Sequence, residues 1–328
     1  MSDLSLYASL IGGLVILAFA GDFLVTGSVA LARKLGISPL VAGILIVGFG
    51  TSAPEMVVTI GAAMQGSAGL AIGNLVGSNI ANIWLVLAVP ALIAPLATGG
   101  FGQSRALFFV ILSAIAWIAV TAIMPLNPVI GILFLGGLIF YAVITVMQTL
   151  LAAKKGVVII ETEDHPVTGI KLWVYILIGL VGLPLGAHLI VEGGVGIARK
   201  FDGISEEMIG LTLLAIGTSL PELGAGIAAV LRKKGDVVIG NVLGSNVFNL
   251  LGAGGLVGFF GPVNVAPGFS QYDHWALGAA TLTLAVFILA RAKISRLAAT
   301  TMLAIYAVYL FGLVNGWNIL AGVQNIAG

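Results

Sequence analysis

The sequence contains no cysteine, which excludes disulfides, thiolate metal sites and thiol redox chemistry. Charged residues are also scarce, at 8% of 328 residues, against about 25% in an ordinary soluble protein. The formal net charge is only +1 and no basic cluster with interleaved aromatic residues is present, so we expect no nucleic-acid partner. The sequence shows no His-Glu-x-x-His motif, no paired aspartates and no Ser/His arrangement. We therefore expect neither an enzyme nor a bound cofactor.

Hydrophobic residues make up 59% of the chain and the mean hydropathy is strongly positive, which indicates a multi-span membrane protein. Apolar segments of about 20 residues or more favour helices over a barrel, whose strands would alternate over about ten residues. The N-terminal apolar run follows Met1-Ser2-Asp3, which lacks a positive charge, so it is predicted as a first span and not as a cleavable signal. The predicted spans are 4–32, 38–64, 69–96, 104–123, 127–150, 170–198, 205–231, 236–261, 273–291 and 297–321.

The basic residues predict how these ten spans are oriented. The connections that follow the first, third, fifth, seventh and ninth spans all lie on one side of the membrane. That side holds every lysine and arginine except Arg199 and Lys200. Because an excess of Lys and Arg marks cytoplasmic loops, we expect both termini to lie on the outer side.

Two polar motifs occur twice in this apolar chain. Gly-Thr-Ser-x-Pro-Glu lies at 50–55 and again at 217–222. Gly-Asn-x-x-Gly-Ser-Asn lies at 73–79 and again at 240–246. Both second copies follow the first by the same interval (217 − 50 = 167 and 240 − 73 = 167). A constant interval indicates an internal duplication of the whole chain.

The duplication has a geometric consequence, because its copies lie five spans apart and five is an odd number. The two copies must then enter the membrane from opposite sides, as in the inverted repeats of many transporters, whose sites lie near the bilayer midplane. The predicted fold class is an all-α polytopic membrane protein of ten transmembrane helices in two inverted five-helix repeats. We expect the first repeat at 1–150, a cytoplasmic linker at 151–169 and the second repeat at 170–328.

The first motif places an acidic residue, Glu55 or Glu222, in the middle of an apolar span. An ionised carboxylate is costly there unless it has a partner. The proline before each acid removes a helical hydrogen bond, so we expect carbonyls near Gly50 and Gly217 to lose their partners. With the motif hydroxyls, this collects oxygen ligands of the kind that Ca²⁺ and Na⁺ prefer. We interpret the two copies as halves of one cation site.

The second motif predicts the facing wall of that site. Its polar residues, with one asparagine just beyond the motif, fall at i, i+4 and i+8 and share a helix face. They are Asn74, Ser78 and Asn82 in the first repeat, and Asn241, Ser245 and Asn249 in the second. Hydrogen bonding between helices is an open alternative role for the asparagines. The motif glycines, among them Gly77, Gly240 and Gly244, are interpreted as positions of close helix packing.

With both motifs present twice in the expected spans, the sequence resembles the cation/Ca²⁺ antiporter superfamily, in its prokaryotic sodium/calcium exchanger branch. The resemblance covers the whole chain. It implies a secondary active antiporter that exchanges Ca²⁺ for Na⁺ by alternating access, in which the first and sixth spans slide across the other eight. The ion ligands that it implies are Glu55, Glu222, Thr51, Ser52, Thr218, Ser219, Ser78, Ser245, Asn82, Asn249 and the backbone carbonyls of Gly48 and Ala215.

Asn249 departs from some exchangers of that family, which have an aspartate at this position. With an asparagine at 82 as well, the site has two carboxylates and not three, which leaves Na⁺ and H⁺ both open as the counter-ion. A Ca²⁺ or other cation/H⁺ antiporter of the same fold is therefore the alternative. An ion channel is disfavoured, because channels build selectivity rings around an axis and two inverted halves make one central site.

Two further acids, Asp22 and Glu192, lie in apolar spans without a motif around them. Structural pairing or interfacial exposure is one interpretation of these acids, and a role in ion access is the other. The expected partners are Ca²⁺ and Na⁺ ions and membrane lipid, with no obligatory protein partner. The expected location is the cytoplasmic (inner) membrane of a prokaryote.

Overall fold

The computed structural model describes residues 3–66, 68–154, 167–198, 215–265 and 272–315. Within these ranges the chain is helical, and its β-structure is limited to two isolated bridges between connecting segments. In chain order the elements are α1 (Asp3–Leu35), α2 (Pro39–Ala42), π1 (Gly43–Gly48), α3 (Phe49–Met64), α4 (Ala68–Ala81), π2 (Asn82–Val86), α5 (Ala88–Ile93), α6 (Gln103–Ile123), α7 (Pro128–Lys154), α8 (Gly169–Ala198), α9 (Ala215–Thr218), α10 (Leu220–Leu231), α11 (Gly235–Val247), π3 (Phe248–Ala253), α12 (Gly254–Phe259), α13 (His274–Leu289) and α14 (Arg296–Val314).

Among the described residues, eight helical stretches are long and apolar enough to cross a membrane. Two shorter apolar helices, α10 and α13, lie where two more spans were predicted. Part of the predicted span 205–231 falls outside the described residues, as does most of the predicted linker 151–169. The all-α membrane fold is thus confirmed, whereas the count of ten spans and the outward termini stay predictions.

The helix that carries Glu55 opens at a different place from the one expected. We expected the turn at Gly50 to open, but α3 runs from Phe49 through Pro54 without interruption. The irregular turn lies just before it, in the π-helix π1. A π-turn inserts one residue into the helix and shifts its hydrogen bonds by one position. The distortion thus lies one turn ahead of the proline that motivated the expectation.

The second copy of the motif is broken more sharply. Helix α9 ends at Thr218, and the N–H of Ser219 donates to the Ile216 carbonyl, three residues back. Helix α10 then begins at Leu220, with Pro221 in its first turn. Proline is tolerated there because a first-turn N–H has no helical acceptor. The two copies of one motif therefore open differently.

Two further π-helices interrupt the helices of the second motif. Asn82 begins π2, and Asn249 is the second residue of π3. No residue pattern in the sequence predicted these turns. π-Turns are rare and occur frequently at functional sites, and each of these two contains an asparagine that was a candidate ligand.

Glycines let α11 approach α2 and π1 so closely that the backbones are in contact. A Cβ atom at Gly240 would lie 2.3 Å from the Leu40 carbonyl oxygen, and one at Gly244 would lie 2.4 Å from the Ile44 carbonyl oxygen. The packing interpretation is confirmed for these two glycines. It is wrong for Gly77, where an added Cβ would meet no atom of the described residues within 4 Å.

The two longest described helices, α1 and α8, pack against each other in the same manner. A Cβ at Gly13 would lie 2.7 Å from the Gly186 carbonyl oxygen, and a Cβ at Gly186 would lie 2.9 Å from the Gly13 carbonyl oxygen. Such mutual contact makes α1 and α8 a single packed pair.

The isolated bridges show the duplication in the connecting segments. Leu96 pairs with Ile294, and Leu126 pairs with Val263, each through two N–H···O bonds of 2.8–3.1 Å. Leu96 and Val263 are one repeat apart (263 − 96 = 167), and so, within one residue, are Leu126 and Ile294 (294 − 126 = 168). Each bridge thus joins one repeat to the other.

Candidate cation site

The carboxyl groups of Glu55 and Glu222 meet where α3 crosses α10. Both side chains are buried, with exposed fractions of 2% and 0%. Each accepts a hydrogen bond from a serine of the other repeat: Ser219 Oγ donates to Glu55 Oε1 at 3.3 Å, and Ser52 Oγ donates to Glu222 Oε1 at 3.1 Å. The structure therefore brings the duplicated acids into one cluster.

The helix of the second motif closes this cluster from one side. Asn249 donates through Nδ2 to Glu55 Oε2 at 3.0 Å and to Ser78 Oγ at 3.1 Å. Both Ser78 and Asn249 are buried. Because Ser78 belongs to the first repeat and Asn249 to the second, the wall of the site is also shared by the two repeats.

The Gly48 carbonyl, at the end of π1, lies in the same cluster. It accepts from Thr51 Oγ1 at 3.4 Å and from Ser245 Oγ at 3.3 Å. Thr218 is half-buried at the end of α9, and Ala215 begins that helix. Their roles as ligands stay predictions.

Several buried polar atoms of the predicted ligands have no hydrogen-bond partner within the described part of the chain. They are Glu222 Oε2, Asn249 Oδ1, and Asn82 Oδ1 and Nδ2. An unsatisfied buried polar group is costly. Three of the four atoms are oxygens, which a hard cation would satisfy together with the carboxylates. The donor set therefore fits a cation as cargo.

The composition of the cluster limits which cation fits. Within the described residues no group of three or more His, Cys, Asp or Glu side chains could hold a metal ion. The cluster instead combines two carboxylates with hydroxyl, amide and carbonyl oxygens. Transition metals favour nitrogen and sulfur ligands, whereas Ca²⁺ takes six to eight oxygens. Two carboxylates would also balance one divalent charge.

Asn241 belongs to the polar stripe but was not among the predicted ligands. Its Oδ1 accepts from Thr51 Oγ1 at 3.3 Å and from Ser245 Oγ at 3.4 Å, and its Nδ2 donates to the Glu222 carbonyl at 3.3 Å. Its equivalent Asn74 faces Thr59 and the Glu55 backbone. The helical spacing in the sequence predicted that both asparagines lie on a polar helix face, but only the folded structure shows that their partners differ.

The two acids outside the motifs lie apart from this cluster. Asp22 is paired with Arg232 at the end of α10 in a two-pronged ion pair, with Oδ2 and Nη2 2.7 Å apart. Glu192 is exposed on α8. These contacts support structural pairing for Asp22 and surface exposure for Glu192.

Known proteins are similar to this chain over most of its length. The family described as sodium/calcium exchanger protein matches residues 5–148 and 171–315. This chain belongs to that family. Sodium/calcium exchanger MaX1 of Methanosarcina acetivorans is 30% identical to it, over 91% of this chain and 95% of MaX1. The inner membrane protein YrbG of Escherichia coli is 33% identical, over 79% of this chain and 81% of YrbG.

A solved sodium/calcium exchanger has the same fold. NCX_Mj, in a structure obtained with zero Na⁺ and Ca²⁺, superposes with a TM-score of 0.80 over 94% of this chain and 98% of its own, at 31% identity. A structure of NCX_Mj soaked with 10 mM Na⁺ and 10 mM Sr²⁺ gives a TM-score of 0.78. This sodium/calcium exchanger family member is therefore a multi-pass helical membrane protein.

Proposed function

We propose that this protein is a secondary active antiporter that exchanges Ca²⁺ for Na⁺ at an all-oxygen site near the bilayer midplane. The observation that carries the proposal is the meeting of Glu55 and Glu222, one from each repeat, at less than 3% exposure. The fold and family that this chain shares with MaX1 and NCX_Mj support the same activity.

Charge balance explains why such a site would exchange ions and not leak them. Two ionised carboxylates in a low dielectric repel each other and lack hydration. The site becomes neutral when it holds one Ca²⁺, two Na⁺ or two protons. It can then cross between its outward and inward states at a tolerable cost only when loaded. Transport of one ion is thereby coupled to transport of another.

The proposed ligands are the residues that the resemblance implies. The structure supports most of them, since hydrogen bonds of 3.0–3.4 Å form one network around each acid. The first connects Glu55 with Ser219, Asn249 and Ser78. The second connects Glu222, partly through Asn241, with Ser52, Thr51, Ser245 and the Gly48 carbonyl. Asn82 supports the proposal through its two unpartnered amide atoms. Thr218 and the Ala215 carbonyl complete the set by their repeat relation to Thr51 and Gly48.

Alternating access requires a moving part, and the packed pair α1 and α8 is the proposed one. Its helices approach at glycine backbones, so they would move as one unit. The remaining spans would stay fixed around the site, with both termini outside and the linker in the cytoplasm. The proposed location is the inner membrane of a prokaryote.

A Ca²⁺/H⁺ antiporter is the second candidate, and one observation favours it. Asn249 is an amide that donates to Glu55, so the network has two carboxyl groups and not three. Two protons neutralise such a site as well as two Na⁺ ions do.

Purified protein in liposomes would test the proposal. We expect radiolabelled Ca²⁺ to enter vesicles loaded with Na⁺ when the outer solution lacks Na⁺, and not to enter vesicles with a pH gradient and no Na⁺. Uptake driven by the pH gradient alone would establish the proton antiporter instead. Uptake under neither gradient would contradict both.

A further inference from the structure

The Asn241 side chain is almost completely buried, at 1% exposed, and contacts two residues of the proposed cation site. Its Oδ1 is within 3.3 Å of Thr51 Oγ1 and within 3.4 Å of Ser245 Oγ. Thr51 comes from α3 in the first repeat, and Ser245 comes from α11 in the second. One amide oxygen is thus offered to hydroxyls of both repeats.

Each of these hydroxyls has a second acceptor that belongs to the proposed ion ligands. Thr51 and Ser245 both lie within 3.4 Å of the Gly48 carbonyl. A hydroxyl carries one hydrogen, so it can donate to only one of these acceptors at full strength.

A bound cation changes which acceptor is available. A hydroxyl that ligates a cation turns an oxygen lone pair towards the ion, and its hydrogen must then point elsewhere. The Gly48 carbonyl is itself one of the proposed ligands of the ion. Among the acceptors that these two hydroxyls reach, Asn241 Oδ1 is the one outside the proposed ligand set.

We propose that Asn241 is a positioning residue of the cation site. Its amide oxygen accepts the hydrogen bonds of Thr51 and Ser245 when the ion binds, which leaves the lone pairs of both hydroxyls and the Gly48 carbonyl for the ion. The inference rests on the proposed function and adds to it the residue that orients the hydroxyl ligands.

The repeat-related Asn74 provides a matched comparison. Its Nδ2 donates to the Glu55 carbonyl at 3.5 Å, as the Nδ2 of Asn241 donates to the Glu222 carbonyl at 3.3 Å. Its other bond goes to Thr59 Oγ1, at 2.9 Å, and Thr59 is not a proposed ligand. Both asparagines thus support the backbone of an acidic residue, but the bonds to hydroxyl ligands are those of Asn241.

Calcium binding to detergent-solubilised protein, measured by titration calorimetry, separates the two roles. We expect Asn241→Leu to weaken Ca²⁺ binding by roughly tenfold or more, the size expected when buried hydrogen-bonding groups lose an acceptor. Asn74→Leu should change it by less than about threefold, because only backbone support is lost. Equal losses in both variants, or none in Asn241→Leu, would overturn the inference.

A double-mutant cycle with Thr51→Val adds a test that a general loss of packing would not mimic. Thr51→Val should weaken Ca²⁺ binding in the wild-type background and have a much smaller effect in the Asn241→Leu background, since the hydroxyl is then no longer oriented. Independent, multiplicative effects would contradict the proposed link between the two residues.

Asn241→Asp keeps the acceptor oxygens and removes the amide donor, so it covers the case in which Asn241→Leu does not fold. We expect it to bind Ca²⁺ at least as tightly as wild type, whereas a tenfold loss absent from Asn74→Asp would show that the donor is what matters and overturn the inference. Wild-type protein that binds no Ca²⁺ would instead contradict the proposed function itself.

Discussion

At the scale of single residues, the buried acids are the feature that decides the chemistry. Glu55 and Glu222 could be found from the sequence because a carboxylate in an apolar span is costly, and a duplicated one is hard to explain by packing. Asn82 and Asn249 followed from helical spacing. The role of Asn241 could not be predicted in this way, since its partner Thr51 lies in the other repeat, 190 positions away.

Neutralising either acid should stop transport. We expect Glu55→Gln and Glu222→Gln each to reduce Ca²⁺ uptake by at least about 100-fold, because removing one charge of a buried set costs roughly 3 kcal/mol or more. Ca²⁺ uptake into liposomes is the measurement. The matched control is Glu192→Gln, the same change at an exposed acid of α8, which should transport normally. Near-normal uptake by either site variant would count against the site.

Asn249→Asp should make transport more sensitive to acid. The Asn249 amide donates to Glu55 Oε2 at 3.0 Å, and an aspartate would put two acceptors in contact there. Two carboxyl groups at that distance hold a shared proton or a cation between them, so protons compete better with Ca²⁺. We expect the pH of half-maximal Ca²⁺ uptake to rise. An unchanged pH profile would show that residue 249 lies outside the field of the two glutamates.

At the scale of helices, the sequence located the spans well and their irregular turns poorly. The predicted spans 104–123 and 170–198 agree with α6 and α8 within one residue at each end. The π-turns π1, π2 and π3 were not predicted, because a π-turn has no composition of its own and depends on the packing of neighbouring helices. The proline motif indicated that the helix would be irregular, but not which turn would open.

The packed pair α1 and α8 should depend on its glycines. We expect Gly186→Ala to destabilise the protein by about 1–3 kcal/mol, since the new methyl group would meet the backbone of α1 at Gly13 and Leu17 within 2.9 Å. Thermal unfolding in detergent is the measurement. Gly136→Ala in α7 is the control, because a Cβ there meets no described atom within 4 Å. Equal melting temperatures for the two variants would show that α1 and α8 are not tightly packed.

At the scale of the whole molecule, the repeat also extends to the turns between helices. Gly66 and Lys233 end matching helices one repeat apart (233 − 66 = 167), and both have positive φ, 77° and 59°. Inverted repeats place these two turns on opposite faces of the membrane. The charge distribution predicts that the turn with Lys233 lies in the cytoplasm.

Because the chain has no cysteine, single cysteines can test this topology. We expect Gln65→Cys to react with a membrane-impermeant maleimide in intact cells. Lys233→Cys should react only after the cells are opened. Both residues are exposed, so access to the reagent does not limit the comparison. Reaction of both from the same side would rule out the inverted arrangement.

The sequence by itself determined the membrane class, the helical spans, the duplication and the two acids, because hydropathy, charge and spacing are properties of the chain alone. Only the tertiary structure decided how Ser52 and Ser219 cross to the opposite glutamate, where the π-turns lie, and that Asp22 pairs with Arg232. The serine–glutamate bonds and the ion pair join residues 164–210 positions apart, and the π-turns depend on the packing of neighbouring helices. Local patterns cannot specify them, since they depend on how one repeat packs against the other.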